Sequence, residues 1–356
     1  MAHLLVALTS HGYGHAAQTA PIVNTLRRDR PDLRLTLRTD LPRPFLATRF
    51  QGAFDIVPAP GDFGLAMESA LAIAFDASAE RYARLHTDWD RQVEAEASAL
   101  QRLKPDLVIA NISYLVPAAA RAAGIPAITL CSFTWAQIYA HYFSARPEAA
   151  GVLAQMHAGY ASAGLTLALE PRMPLDDLPG YRPIGMVAKR STADPRVLRT
   201  HLGLATTTRL VSLSLGGIDH ALDLGNWPHD RKMHWLVPKA ICPRRADMTA
   251  QEDLPFSFTD LLASSDAFIT KAGYGSFTEA ACNGIPTLYV PRPDWPEEPC
   301  LLEWMSANGL VRPLSLAALR DGSVRDELDR VWQLPRPAPV TPEGIATAAA
   351  IIDPLL

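Results

Sequence analysis

Cysteine is scarce in this chain. Cys131, Cys242, Cys282 and Cys300 are the four in 356 residues, they lie far apart, and no C-x-x-C pair occurs. That spacing suggests neither a zinc ribbon nor a disulfide framework, and reduced, buried thiols in a cytosolic protein are the plain reading. Basic charge is not in excess either: 33 Lys and Arg stand against 37 Asp and Glu, for a formal net charge of −4. The footprint of a nucleic-acid binder is therefore missing. The opening apolar stretch, MAHLLVALTS, is too short to span a membrane and lacks a basic flank. It reads as a buried strand rather than a signal peptide. A cytoplasmic protein without a transmembrane segment is expected, with peripheral membrane contact left open. His11 and His15 are four apart, but there is no H-E-x-x-H and no third ligand in view, so no metal site is expected. What the chain does have is 48% hydrophobic and 20% charged residues. That is enough apolar surface to offset chain entropy, and the length favours about two domains.

Short apolar runs alternate with helical patterns through the first half. LLVAL is followed by HAAQTAPIVNTLRRD, with Ala16, Ala20, Val23 and Arg27 at helical spacing. LRLTLRT alternates Leu33, Leu35 and Leu37 as a strand does, and FDIVPAP, DLVIAN, AITLCS and LTLALE read as further strands. From about Leu65 to Leu103 the composition predicts continuous helix, stopped by Lys104-Pro105. VPAAARAAG is a helix closed by Gly124. The Pro- and Gly-rich stretch 170–189 reads as a linker. Beyond it the alternation restarts: VSLSLGG, HWLVP, AFITKAG and TLYVPR as strands, TDLLASS, SFTEAACNG and EEPCLLEWMSANG as helices. Strands separated by helices mean βαβ units and parallel sheets. The expected fold class is α/β, with two Rossmann-like domains facing across a cleft. Residues 1–180 form the first, 181–340 the second, and 341–356 a C-terminal helix packing back toward the first.

Each half carries a Gly-Tyr-Gly after a strand, and ligands in such sheets gather beyond the carboxyl ends of the strands. In ITKAGYGSFTEA, Lys271 stands at the strand tip and Gly273 and Gly275 permit close backbone approach. Ser276 is placed to cap the following helix, whose free N–H groups and dipole suit a diphosphate. Glu279, one turn inside, is near enough to accept from ribose hydroxyls. The plainer alternative is that Ser276 and Glu279 form an S-x-x-E capping box. A second glycine loop, LSLGGID with Gly216 and Gly217, follows another strand of that half and strengthens the phosphate reading. Near the N-terminus, Gly12-Tyr13-Gly14-His15-Ala16-Ala17 fits G-x-G-x-x-A. However, three residues separate the strand from Gly12, and the acid expected about 20 residues on is absent. An NAD-binding unit is therefore disfavoured.

The stretch from Lys271 to Leu310 resembles the donor-binding region of GT-B glycosyltransferases. It is especially similar to the glycosyltransferase-like N-terminal module of plant L-arabinokinases and related bacterial proteins, and more distantly to the peptidoglycan N-acetylglucosaminyltransferase. The resemblance extends in order to HGYGHAAQT, CSFTWAQIY, GMVAKRS and LSLGG, and so covers most of the chain. It implies a donor site at Gly216, Gly217, Lys271, Gly273, Tyr274, Gly275, Ser276 and Arg292. Glu279 would hold the ribose, Phe258 the nucleobase, and Glu297 and Glu298 the sugar hydroxyls. The two glutamates are equally suited to charge at a helix start.

In the first loop the resemblance makes His15 the catalytic base. A histidine suits removal of an acceptor proton, though packing at a helix start is the alternative. His11, Gly12, Tyr13 and Gly14 would serve the acceptor, as would Ser132, Trp135, Gln137 and Tyr139 unless these belong to the core. Several relatives steady the histidine with an aspartate where this chain has Asn111, which can orient an imidazole but adds no charge. Asp88-Trp89-Asp90 reads as a solvated helix face rather than a metal-nucleotide site. The expected activity is inverting, metal-independent transfer from a nucleotide-diphosphate sugar, a UDP sugar first, with no further cofactor and an unknown acceptor. A sugar-nucleotide epimerase and a non-catalytic nucleotide-sugar-binding module remain the alternatives.

Overall fold

Hydrophobic runs such as LLVAL and LVIA are buried on both faces, as strands of a parallel sheet must be. In the computed structural model, which describes residues 1–59, 63–69, 72–216 and 222–356, the chain forms two units. Met1–Val187 with Glu343–Leu356 make one, and Ala188–Pro342 the other.

The first unit begins β1 (His3–Leu8), α1 (Gly14–Asp29), β2 (Arg34–Arg38), α2 (Arg43–Arg49) and β3 (Asp55–Val57). A small antiparallel pair, β4 (Met67–Ser69) and β5 (Ala72–Ile73), precedes α3 (Phe75–Thr87) and α4 (Trp89–Leu103). Then come β6 (Leu107–Asn111), α5 (Leu115–Ala123), β7 (Ala127–Cys131), α6 (Trp135–Phe143), α7 (Ala149–Tyr160), β8 (Leu165–Glu170) and β9 (Tyr181–Met186). Seven strands form one parallel sheet in the order β3-β2-β1-β6-β7-β8-β9. Helices α4 and α5 cover one face, burying Ala97, Leu100, Val116, Ala119 and Ala120 against Leu5, Ala7, Val108 and Ala110.

The second unit runs α8 (Pro195–His201), β10 (Arg209–Leu213), β11 (Met233–Val237), β12 (Met248–Ala250), α9 (Phe258–Ala263) and β13 (Ala267–Lys271). It continues with α10 (Tyr274–Cys282), β14 (Thr287–Val290), α11 (Glu298–Asn308), β15 (Val311–Pro313), α12 (Leu316–Asp321) and α13 (Arg325–Trp332). Its six strands are parallel in the order β12-β11-β10-β13-β14-β15. The last helix, α14 (Gly344–Ile352), returns to the first unit and packs on α1 and β9.

Three expectations need correction. The continuous helix over 65–103 does not form: β4 and β5 occupy part of it, and Asp88 breaks the rest, ending α3 and preceding α4. The break lets Trp89 turn inward and stack on His86 and Tyr114, with ring centroids 5.3 and 5.6 Å away. The 170–189 stretch is not a linker throughout, because β9 pairs with β8 within it. The boundary therefore falls after Val187 rather than after residue 180, and the return is at Glu343 rather than 341. Pro183 is tolerated there because β9 is the last strand of the sheet, where one side needs no ladder bonds.

Candidate functional site

In each sheet the strand order reverses direction at one point, and crevices open there at the carboxyl ends. In the first unit this point lies between β1 and β6, where Leu8 pairs with Asn111 and the Thr9 amide donates to the Asn111 carbonyl at 2.9 Å. Gly12 then takes φ +74°, a left-handed conformation that glycine adopts without cost. The turn brings the start of α1 back over the end of β6, so His15 meets Asn111 although 96 residues separate them.

His15 is 5% exposed, and its Nδ1 is 2.9 Å from Asn111 Oδ1. The opposite end of the Asn111 amide faces three oxygens: Thr19 Oγ1 at 2.9 Å, Gln18 Oε1 at 3.0 Å and the His15 carbonyl at 3.4 Å. That end is therefore the NH2, and Oδ1 accepts from His15 Nδ1–H. The lone pair is left on Nε2, as a base requires. Burial pushes the imidazole down to about 4, so it is neutral at physiological pH. Phe133 and Trp135 flank it, each with its ring centroid 6.1 Å away.

Trp135 is held through its backbone. Its N–H donates to Tyr160 Oη at 2.9 Å, and Tyr160 Oη donates to the Ile112 carbonyl at 2.7 Å, tying together the loops after β6 and β7. A Thr134–Gln137 capping box starts α6 at this point. His11 packs edge-on against Trp135 at 5.2 Å, with Nδ1 3.2 Å from the Leu65 carbonyl. Gly64 lies so close that a Cβ there would fall 2.4 Å from the Trp135 ring. Tyr13 stacks on Phe45 at 3.7 Å, and Gly14 opens α1 with no neighbour that a Cβ would meet. Ser132 is buried and accepts from Gln18 Nε2 at 3.1 Å. Tyr139 packs into aromatic core, 5.0 Å from Tyr82 and 5.3 Å from Phe143. Gln137 Nε2 donates to the Pro174 carbonyl at 2.6 Å.

The second unit repeats the arrangement at β10 and β13, which pair through Leu213 and Ile269. Gly216, at φ +88°, follows β10, and a Cβ on it would lie 3.6 Å from Lys271 Cε and 3.9 Å from Nζ. Gly217 lies outside the described residues. Lys271 ends β13, and burial with the nearby Arg292 charge pushes its amine down to about 7. The next helix starts earlier than expected. Tyr274, not a residue after Ser276, is the first of α10, with Gly273 extended before it and no side-chain cap. Ser276 is thus the third helical residue, and the Ser276–Glu279 capping box is not formed. The first main-chain bond into this turn is from Phe277 N–H to the Gly273 carbonyl at 3.0 Å. The N–H groups of Gly275 and Ser276 precede that bond, and the first turn of a helix is where such groups can face an anion.

Glu279 is the sixth residue of α10 and 3% exposed. Phe258 is half-buried at the start of α9, 6.1 Å from Phe268. Glu298 Oε2 accepts from the Arg292 N–H at 2.7 Å, and burial raises its carboxyl above the usual range. Glu297 Oε2 accepts from Trp295 Nε1 at 3.2 Å, and the Arg292 guanidinium lies 4.3 Å over the Trp295 ring. Arg292, Trp295 and Glu297 lie in the segment before α11, and Glu298 is the first residue of that helix.

Asp88 and Asp90 are exposed on either side of the buried Trp89. Among the described residues no group of three His, Cys, Asp or Glu side chains is placed to hold a metal ion, and no helix is long and apolar enough to cross a membrane. Gln18 and Thr19 are the residues the sequence reading missed. Their signal was present, since positions three and four after His15 lie on its face of the helix.

No family model matches the chain. It is 26% identical over 313 residues to an L-arabinokinase from Arabidopsis thaliana, a match covering 84% of this chain and 29% of that protein's length. Among solved structures it is similar to a UDP-glucosyltransferase from Polygonum tinctorium, with a TM-score of 0.59, 13% identity, and 99% and 98% of the two chains covered. It is also similar to the glycosyltransferase VinC in complex with dTDP, with a TM-score of 0.51, 16% identity, and 99% and 94% covered. By fold the chain is a GT-B protein, with the two Rossmann-like α/β units of these glycosyltransferases.

Proposed function

We propose that the protein is a glycosyltransferase that uses a nucleotide-diphosphate sugar, with UDP sugars the first donors to test. The observation that carries this reading is the uncapped start of α10 beside Lys271 and Gly216. Main-chain N–H groups, a helix dipole and a buried amine converge where a diphosphate needs them. Glu279 would accept from the ribose, and Glu297 and Glu298 from the sugar. A dTDP-bound structural neighbour and a UDP-glucosyltransferase neighbour both fit such a donor.

In the reaction, His15 Nε2 takes the proton of an acceptor hydroxyl as its oxygen attacks the anomeric carbon. The bond from that carbon to the diphosphate oxygen breaks, and the electron pair leaves with the nucleoside diphosphate. One displacement of this kind inverts the anomeric centre. Lys271, Arg292 and the α10 N-terminus supply the positive charge for the departing diphosphate, so the reading calls on no metal.

The test is a thermal-shift panel of nucleotides and nucleotide sugars, because a ligand that binds only the folded state raises its stability. At about 100 times its dissociation constant a donor should add about 2.7 kcal/mol. Absence of a shift with every nucleoside diphosphate would overturn the proposal. One observation favours a second reading. Asn111 stands where a carboxylate would stabilise imidazolium, as a non-catalytic nucleotide-sugar-binding module would tolerate. That reading expects the same thermal shifts and no turnover with any acceptor.

A further inference from the structure

We propose that Gln18 is a positioning residue which, with Thr19, sets the ring nitrogen of His15 that carries the proton. The inference rests on the reading of His15 as the base, since only then does the choice of nitrogen matter to the chemistry.

Asn111 Oδ1 stands 2.9 Å from His15 Nδ1, and the Gln18 side chain also bonds to the ring. An amide has two ends, and they demand opposite tautomers. With Oδ1 toward His15, Nδ1 carries the proton and Nε2 is the base. With the NH2 toward His15, Nδ1 becomes the acceptor and Nε2 carries the proton, so the base is lost. The direction of the Asn111 amide is therefore decisive, and it is fixed by what surrounds its far end.

Three oxygens do this, all from the first turns of α1. Thr19 Oγ1 gives its own proton to the His15 carbonyl at 2.8 Å, so toward Asn111 it can only accept. The His15 carbonyl accepts by nature. Gln18 is the adjustable member. Its Nε2 donates to Ser132 Oγ at 3.1 Å, which turns Oε1 toward the Asn111 NH2 at 3.0 Å. Gln18 is 2% exposed, so no bulk water competes for either end of its amide. A buried amide N–H left without an acceptor carries the full cost of its lost hydration. Removing Oε1 thus takes away much of what separates the two amide orientations.

The experiment is long-range 15N–1H correlation spectroscopy of the full chain at about pH 7, well above the titration of His15. The His15 signals are assigned by their loss in His15→Gln. The wild type is expected to show a protonated Nδ1 and a bare Nε2. In Gln18→Leu, which keeps the volume, the two nitrogen shifts should move toward each other as the second tautomer becomes populated. In Gln18→Glu the side chain still accepts from Asn111. The tautomer should stay, and the titration of His15 should move up because a negative charge now lies behind Asn111.

A wild-type His15 protonated on Nε2 would overturn the proposal, as would Gln18→Leu with unchanged ring shifts. If Gln18→Leu does not fold, Gln18→Glu decides: a changed tautomer or an unmoved titration overturns it. A residue needed only for packing would alter stability without touching the ring nitrogens. No nucleotide is present in these spectra. A protein that binds no nucleoside diphosphate would therefore overturn the proposed function and leave the Gln18 result standing.

Discussion

His15 is neutral because it is buried, and Asn111 opposes that by a hydrogen bond rather than by charge. The consequence for stability has a definite sign. The folded-state value lies below the ordinary 6.5, so the unfolded chain binds the extra proton. This contribution is present above about pH 6.5 and is lost as pH falls toward about 4, a difference of about 3 kcal/mol over that window. Asn111→Asp places a carboxylate beside Nδ1 and should raise the His15 titration by about one unit or more. Histidine NMR titration checks this, and the acid limb of any pH–rate profile should move up with it.

Lys271 titrates in the opposite context. Its amine is held down to about 7 by burial and by Arg292, and a bound diphosphate would restore the charge. Binding of UDP at about pH 8 should therefore take up protons, and affinity should fall as pH rises above about 7. Calorimetry in buffers of different ionisation enthalpy reads this directly. Equal heats in all buffers would remove Lys271 from the diphosphate site.

At the scale of elements, glycines decide where two segments can touch. Gly344 opens α14 against β9, and a Cβ there would meet the carbonyl oxygens of Gly185 and Met186 at 2.7 Å. Those atoms are backbone and cannot swing aside. Gly344→Ala should cost about 1–3 kcal/mol by overpacking. Thermal denaturation checks it, and a variant melting with the wild type would mean that α14 is not docked as described. The Arg30–Asp353 pair, 2.5 Å apart and half exposed, adds little to this docking.

The elements also show what could be read from the chain alone. Runs such as LLVAL and LVIAN are legible because a parallel sheet buries both faces and demands continuous apolar residues. YRPIGM is not legible as β9, because Pro183 and the left-handed Gly185 mark a loop in any local reading. Only its place at the sheet edge makes them acceptable. S-x-x-E misled at α10 because Ser and Glu fit a cap by type. The helix instead begins at Tyr274 and leaves its first N–H groups uncapped. The contact of His15 with Asn111 depends on the β1–β6 register, and nothing local encodes that.

At the scale of the whole molecule, one construction appears twice. In each unit the chain leaves the central strand through a glycine-bearing loop, and a polar side chain on or just beyond the strand across the switch point meets it: Asn111 with His15, Lys271 with Gly216. The first yields a neutral imidazole, the second a buried amine beside a helix start. The chain enters the second unit after Val187 and leaves it at Pro342, so residues 188–342 form an uninterrupted segment of their own. The central claim is that this segment binds a nucleoside diphosphate through α10. Titration calorimetry of the full chain with UDP, dTDP and GDP, repeated with Glu279→Gln, tests it most directly. Expected is saturable binding of at least one of them by the wild type, weakened about tenfold or more in Glu279→Gln, or about 1.4 kcal/mol. No saturable heat with any of the three, or the same affinity in Glu279→Gln, would contradict it.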